Sequence, residues 1–136
     1  MNELRLPREA RMRQTREFEN VYAQQHRAGD QFLLVFAAAN ELGRTRFGLS
    51  VSRKHGSAFR RARIKRLLRE AFRLSRTDLP AGLDLILIPR QGVQATVDDY
   101  RRSLRKLSAK LARRIGVLPH DLVNRESPSS TESLET

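Results

Sequence analysis

The sequence has no cysteine and no tryptophan, and aromatic residues fill only 6% of its 136 positions. Without cysteine there is no disulfide, no zinc–thiolate site and no thiol nucleophile. No stretch reaches the roughly 18 consecutive apolar residues of a membrane span. The opening segment, MNELRLPREARMRQ, carries no apolar signal core, so a cytoplasmic location is expected. Catalytic signatures are missing too: there is no HExxH, no phosphate-cradling glycine loop and no G-x-S-x-G. His26, His55 and His120 lack metal-ligand spacing. Asp98 and Asp99 are adjacent, so on a helix they diverge by about 100°, which suits capping better than a metal pair. No catalytic residue and no metal ligand is assigned. Acids are scarce in general: 15 Asp and Glu face 27 Lys and Arg, for a net charge of +12 and a pI near 11.5. Such a chain attracts polyanions, with nucleic acid the first candidate and an anionic membrane surface the second.

What is present points to a single domain. Residues 1–14 read as a basic arm interrupted by Pro7. Thr15 offers an N-cap and Glu17 an acid in the first turn of a short helix that carries Phe18, Val21 and Tyr22. Gln31 to Ala39 predicts a strand with two apolar faces: Leu33, Val35 and Ala37 on one, Phe32, Leu34, Phe36 and Ala38 on the other. Asn40 to Arg44 predicts a hairpin loop leading into a strand from Thr45 to Arg53. In that strand the small residues Gly48, Ser50 and Ser52 leave one face open. Leu83 to Ile88 is the apolar run of a strand covered on both sides. Thr96 and Asp99 have capping-box spacing before a helix to about Ile115, and Gly116 suits its C-terminal cap. Residues 117–136 turn Ser-rich and acidic and read as a disordered tail. The order helix, hairpin, helix, strand, helix predicts an α+β domain, with one mixed or antiparallel sheet and helices mainly on one side.

The stretch from Phe59 to Arg76 organises the rest. Ile64, Leu67, Leu68, Ala71 and Phe72 draw one stripe along a helix, and Lys65, Arg66, Arg69 and Arg73 fall on the opposite half. Between Arg60 and Arg76 there are eight Lys or Arg and one acid, Glu70. Solvated helices usually mix both signs to gain i,i+4 pairs. Here the repulsion is left for a polyanion to compensate, and Arg presents a rigid fork that matches phosphate oxygens. Arg53 and Lys54 extend the basic surface into the preceding loop. Strand and helix aromatics beside such a surface suit single-stranded nucleic acid, with cations on the backbone and rings on the bases. Phe18, Tyr22, Phe32 and Phe36 are the candidates for that platform.

The segment GLSVSRKHGSAFRRARIKRLLREAFR, Gly48 to Arg73, resembles the signature of the bacterial ribonuclease P protein component: a G-L-S-V strand followed by an R-N-R-x-K-R-x-x-R-[EQ] helix. Arg61, Arg63, Lys65, Arg66, Arg69 and Glu70 match it position by position, while Ala62 stands where that pattern has Asn. The resemblance spans roughly residues 5–115. It implies a small α/β sandwich of about four strands and three helices, ribosomal-protein-like, with a left-handed β-α-β crossover. It also implies an RNA-binding subunit that assists a catalytic RNA in removing the 5′ leader from precursor tRNA. On that reading Arg53, Lys54, Arg60, Arg61, Arg63, Lys65, Arg66, Arg69 and Arg73 contact the catalytic RNA. A cleft lined by Phe18, Tyr22, Phe32, Leu34 and Phe36 takes the single-stranded leader. Mg²⁺ is held mainly by the RNA subunit and substrate, and neither membrane nor DNA is a partner. A structural rRNA-binding protein shows the same charge and the same lack of catalysis, and is the competing expectation.

Overall fold

The computed structural model describes residues 6–117; the acidic tail from residue 118 on and the first five residues lie outside the described residues. Three helices and four strands follow in the order α1 (Thr15–Gln24), β1 (His26–Gly29), β2 (Leu33–Ala39), β3 (Arg46–Leu49), α2 (Ala58–Ser75), β4 (Leu83–Pro89) and α3 (Val97–Ile115). The sheet order is β1-β2-β4-β3, with β1–β2 and β2–β4 antiparallel and β3–β4 parallel.

The strand Leu83 to Pro89 takes the centre because its residues are apolar on both faces. Leu83, Leu85, Ile86 and Leu87 are fully buried. The expected hairpin between β2 and β3 does not form. β4 inserts between them, and the loop is tied to β4: the Asn40 N–H donates to the Gly82 carbonyl, and its side-chain amide donates to Asp84 at 2.8 Å. The hairpin lies one connection earlier, between β1 and β2. There the Asp30 carboxylate accepts from the N–H groups of Phe32 and Leu33 and closes the turn. β1 carried no apolar pattern; HRAG is a short edge strand that exposes Arg27 and Gly29.

The helices divide between the two faces of the sheet. α2 and α3 cover Leu33, Val35, Ala37, Phe47, Leu85 and Leu87, the larger core. Phe47 stacks on Phe72 of α2 with ring centroids 4.2 Å apart. α1 takes the opposite face, where Val21 is buried with Met12, Ala38 and Ile86. α1 begins at Thr15, but Gln14, not Thr15, stands at its cap; the Glu17 carboxylate turns back to accept from the N–H groups of Arg13 and Gln14. Ser57 caps α2, the Thr96–Asp99 box opens α3, and Gly116 ends it at φ +96. Residues 6–14 are fitted to the fold rather than loose: Ala10 and Met12 are buried, and the Met12 N–H donates to the Phe47 carbonyl beside the free edge of β3. No helix among the described residues is long and apolar enough to cross a membrane.

Candidate nucleic-acid interface

The phase of α2 sets the first surface. Leu68, Ala71 and Phe72 turn inward and are buried, which leaves Arg60, Arg63, Lys65 and Arg66 exposed and Arg61 and Arg69 half-exposed. Among the described residues none of these six pairs with a carboxylate. Arg73 differs: its guanidinium grips Glu70 at 2.5 Å, and that hydrogen bond pulls the Glu70 carboxyl below the usual carboxylate range. The one acid of the helix is thus spent on Arg73, and among the described residues the cations nearer the N-terminus stay unmatched. Ala62 is exposed in their midst.

Two neighbouring segments widen this surface. Arg53 and Lys54 are exposed on a 3₁₀ turn held by His55. The His55 ring is buried; its Nδ1 accepts from the Ser52 N–H at 3.0 Å, so its Nε2–H donates to the Pro89 carbonyl at 2.7 Å. The arm supplies more charge. The Arg11 guanidinium lies 5.8 Å from the centroid of the Phe47 ring. Burial, then the charges of Arg69 and Arg13, lower its pKa, so arm and α2 repel each other across one continuous basic face. Sequence reasoning missed Arg11 and Arg13. Their charge was legible, but their docking against β3 rests on a backbone bond that leaves no mark in the sequence.

The second surface is the α1 side of the sheet. Strand register sets Arg27, Phe36, Ile86 and Gly48 in one row across β1, β2, β4 and β3. The next row holds Gly29, Leu34 and Ile88. α1 lies over β2 and β4, and its Phe18 side chain reaches across to β3. The Phe18 ring lies on Gly48, where a side chain would meet it. The open face expected at Gly48 is therefore filled by Phe18 from within the chain. Tyr22 meets Phe36 edge-on with centroids 5.0 Å apart, and the Arg27 guanidinium lies 6.0 Å from the Phe36 centroid. Beyond α1 the sheet stays partly open: Leu34, Phe36 and Ile88 are half-buried, and Tyr22 is 37% exposed. This is a groove with an apolar floor, an aromatic wall and a cationic rim.

An ion-pair network fixes α1 over that groove. Arg46 donates to Asp84 on β4 at 2.7 Å and to Glu17 on α1 at 3.0 Å. The Glu17 carboxyl lies below its ordinary pKa, held there first by the Gln14 N–H and further by Arg13 and Arg46.

Phe32 is not part of this groove. It precedes β2, and the Asp30 turn places it on the opposite face, where it packs against the larger core and lines a hollow with Arg102, Ser103 and Lys106 of α3. Phe18, Tyr22, Leu34 and Phe36 do come together, joined by Ile88 and Arg27, which the sequence did not single out.

Comparison with known proteins agrees with this geometry. A family model described as Ribonuclease P matches residues 6–112. The chain is 43% identical over 115 residues to the ribonuclease P protein component of Edwardsiella ictaluri, covering 84% of this chain and 93% of that one. It is 36% identical over 101 residues to that of a Thermoanaerobacter species, covering 74% and 87%. Among solved structures, the Staphylococcus aureus RNase P protein superposes with a TM-score of 0.64 at 30% identity, over 76% of this chain and 94% of that chain. The Thermotoga maritima RNase P protein gives 0.65 at 27% identity, over 71% and 96%. The chain belongs to the ribonuclease P protein family, the RNA-binding protein component of the ribonucleoprotein that processes the 5′ ends of tRNA.

Proposed function

We propose that the two surfaces divide the work of this subunit. The basic face of α2, with Arg53, Lys54, Arg11 and Arg13, docks on the catalytic RNA. The groove of Phe18, Tyr22, Leu34, Phe36, Ile88 and Arg27 holds the single-stranded 5′ leader of precursor tRNA. The observation that carries the reading is the row Arg60, Arg61, Arg63, Lys65 and Arg66, without a carboxylate partner among the described residues, on a helix whose acid is engaged with Arg73. Such a row is stabilised when phosphates replace the missing carboxylates, and Arg forms charge-assisted pairs with them. The groove suits the leader because unpaired bases expose flat faces to Tyr22 and Phe36 while Arg27 meets the backbone.

The chemistry is assigned to the RNA. Among the described residues no three His, Asp or Glu side chains converge where a metal ion could sit. The described residues thus offer no donor set that fits Mg²⁺, and this reading places the ion on the RNA subunit and substrate. The subunit contributes affinity and orientation, lowering the cost of bringing the leader to the reacting phosphate.

Reconstitution tests this. The chain alone leaves precursor tRNA intact, and adding it to the catalytic RNA at limiting Mg²⁺ raises the cleavage rate. Cleavage by nuclease-treated protein without RNA, rising with protein purity, contradicts the assignment.

A further inference from the structure

Phe59 is 82% exposed, and no other residue of the α2 face stands out so far as an apolar group. It borders a second groove, of about 430 Å³, between the first turns of α2 and the segment joining β4 to α3. Phe59, Arg60 and Arg63 line it from the helix; Val93, Gln94 and Thr96 line it from the segment. Val93 is itself 37% exposed. A single exposed apolar residue is ordinary on a protein surface. Here two of them border one concave site that also contains two arginines without a carboxylate partner among the described residues.

The occupant has to satisfy both features. An acidic peptide would meet the arginines but has no flat face for Phe59. A paired RNA helix presents phosphates, but its bases are stacked away from an exposed ring. An unpaired nucleotide presents a flat base and a phosphate a few ångströms apart, and its base edge has donors and acceptors for Gln94 and Thr96. We propose that this groove takes one unpaired nucleotide of the catalytic RNA, its base stacked on Phe59 and its phosphate held by Arg60 and Arg63. The inference rests on the reading of α2 as the face toward the catalytic RNA.

The full chain and the catalytic RNA transcript, with no tRNA present, test it by equilibrium binding. Because Phe59 is exposed, Phe59→Leu keeps the fold, and its melting temperature matches the parent. Phe59→Leu weakens binding roughly 5- to 150-fold, the range of one lost base stack, while Phe59→Trp restores it. The slope of affinity with salt stays unchanged in both, since no phosphate contact is removed. One nucleotide shielded from base-modifying reagents by the parent becomes reactive with Phe59→Leu. Parental affinity in Phe59→Leu overturns the proposal. So does a loss in Phe59→Leu that Phe59→Trp fails to restore, which marks a contact of shape alone. So does self-association of the parent that Phe59→Leu abolishes, which assigns the groove to a second copy of the chain. If the parent itself does not bind the catalytic RNA, the underlying reading fails as well; if only the Phe59 variants are indifferent, that reading stands and the groove assignment falls.

Discussion

The ring of Phe18 rests on the bare backbone of Gly48. A Cβ at Gly48 would lie 2.7 Å from Phe18 Cε2 and 3.0 Å from the end of Met12, well inside contact distance. Glycine is required here for close approach, not for an unusual backbone angle. The contact seats α1 on the sheet and thereby sets the wall of the groove proposed for the leader. Gly48→Ala lifts Phe18 and destabilises the fold by about 1–3 kcal/mol, as overpacking does. It also weakens precursor tRNA binding by the assembled enzyme. In the double variant Phe18→Leu with Gly48→Ala the two losses do not add, because the smaller side chain relieves the clash. Thermal melts of the four proteins check this.

The α2 helix separates folding from binding by phase. Arg66 is exposed and has no carboxylate partner among the described residues, whereas Leu68 is fully buried. Arg66→Ala weakens binding to the catalytic RNA and takes roughly 0.7–0.9 off the log–log salt slope for a lost phosphate contact. Leu68→Ala lowers stability by about 2–5 kcal/mol. Arg73→Ala changes the salt slope less than Arg66→Ala, since Arg73 already holds Glu70. Binding titrations over a salt series, with a melt for each variant, distinguish these outcomes.

Glu17 makes the seating of α1 sensitive to acid. Its folded pKa lies below its unfolded value because the Gln14 and Arg13 N–H groups and Arg46 favour the carboxylate. The stabilisation is complete above the unfolded pKa of about 4.3 and is lost as pH falls through the lower folded value. Glu17→Gln removes that part of the pH dependence: its stability falls less than the parent's between pH 5 and pH 3 (roughly the carboxylate range). Denaturant midpoints at several pH values measure it.

Much of this was legible in the sequence where a pattern is local and long. The α2 stripe repeats over several turns, so its buried and basic sides could be assigned residue by residue. The Thr96–Asp99 box and Gly116 are complete within their own segments. The apolar run of β4 implied cover on both faces, and the fold supplies it. The failures are of another kind. Adjacent strands joined by a short loop suggested a hairpin, but Asn40, Asp84 and Arg46 tie the chain into a sheet in which β4 comes between β2 and β3. β1 has four residues and one buried side chain, too little for a period. Phe32 was counted by alternation into a strand that starts one residue later. The fit of Phe18 to Gly48 pairs residues thirty positions apart, which no window along the chain contains.

The groove aromatics differ in how far they can be tested apart from the fold. Phe36 is half-buried beneath Tyr22, so its truncation mixes packing with recognition. Tyr22 is 37% exposed and meets Phe36 by its edge, so Tyr22→Leu removes an aromatic face at little cost to the core. The most direct measurement is the affinity of the assembled enzyme, parent and Tyr22→Leu, for precursor tRNA with a leader of several nucleotides and for mature tRNA. The account predicts that Tyr22→Leu loses affinity for the precursor by about 1–3 kcal/mol, the value of one stacked base, and leaves mature tRNA binding and the melting temperature unchanged. Equal losses for precursor and mature tRNA, or no loss for either, would contradict it.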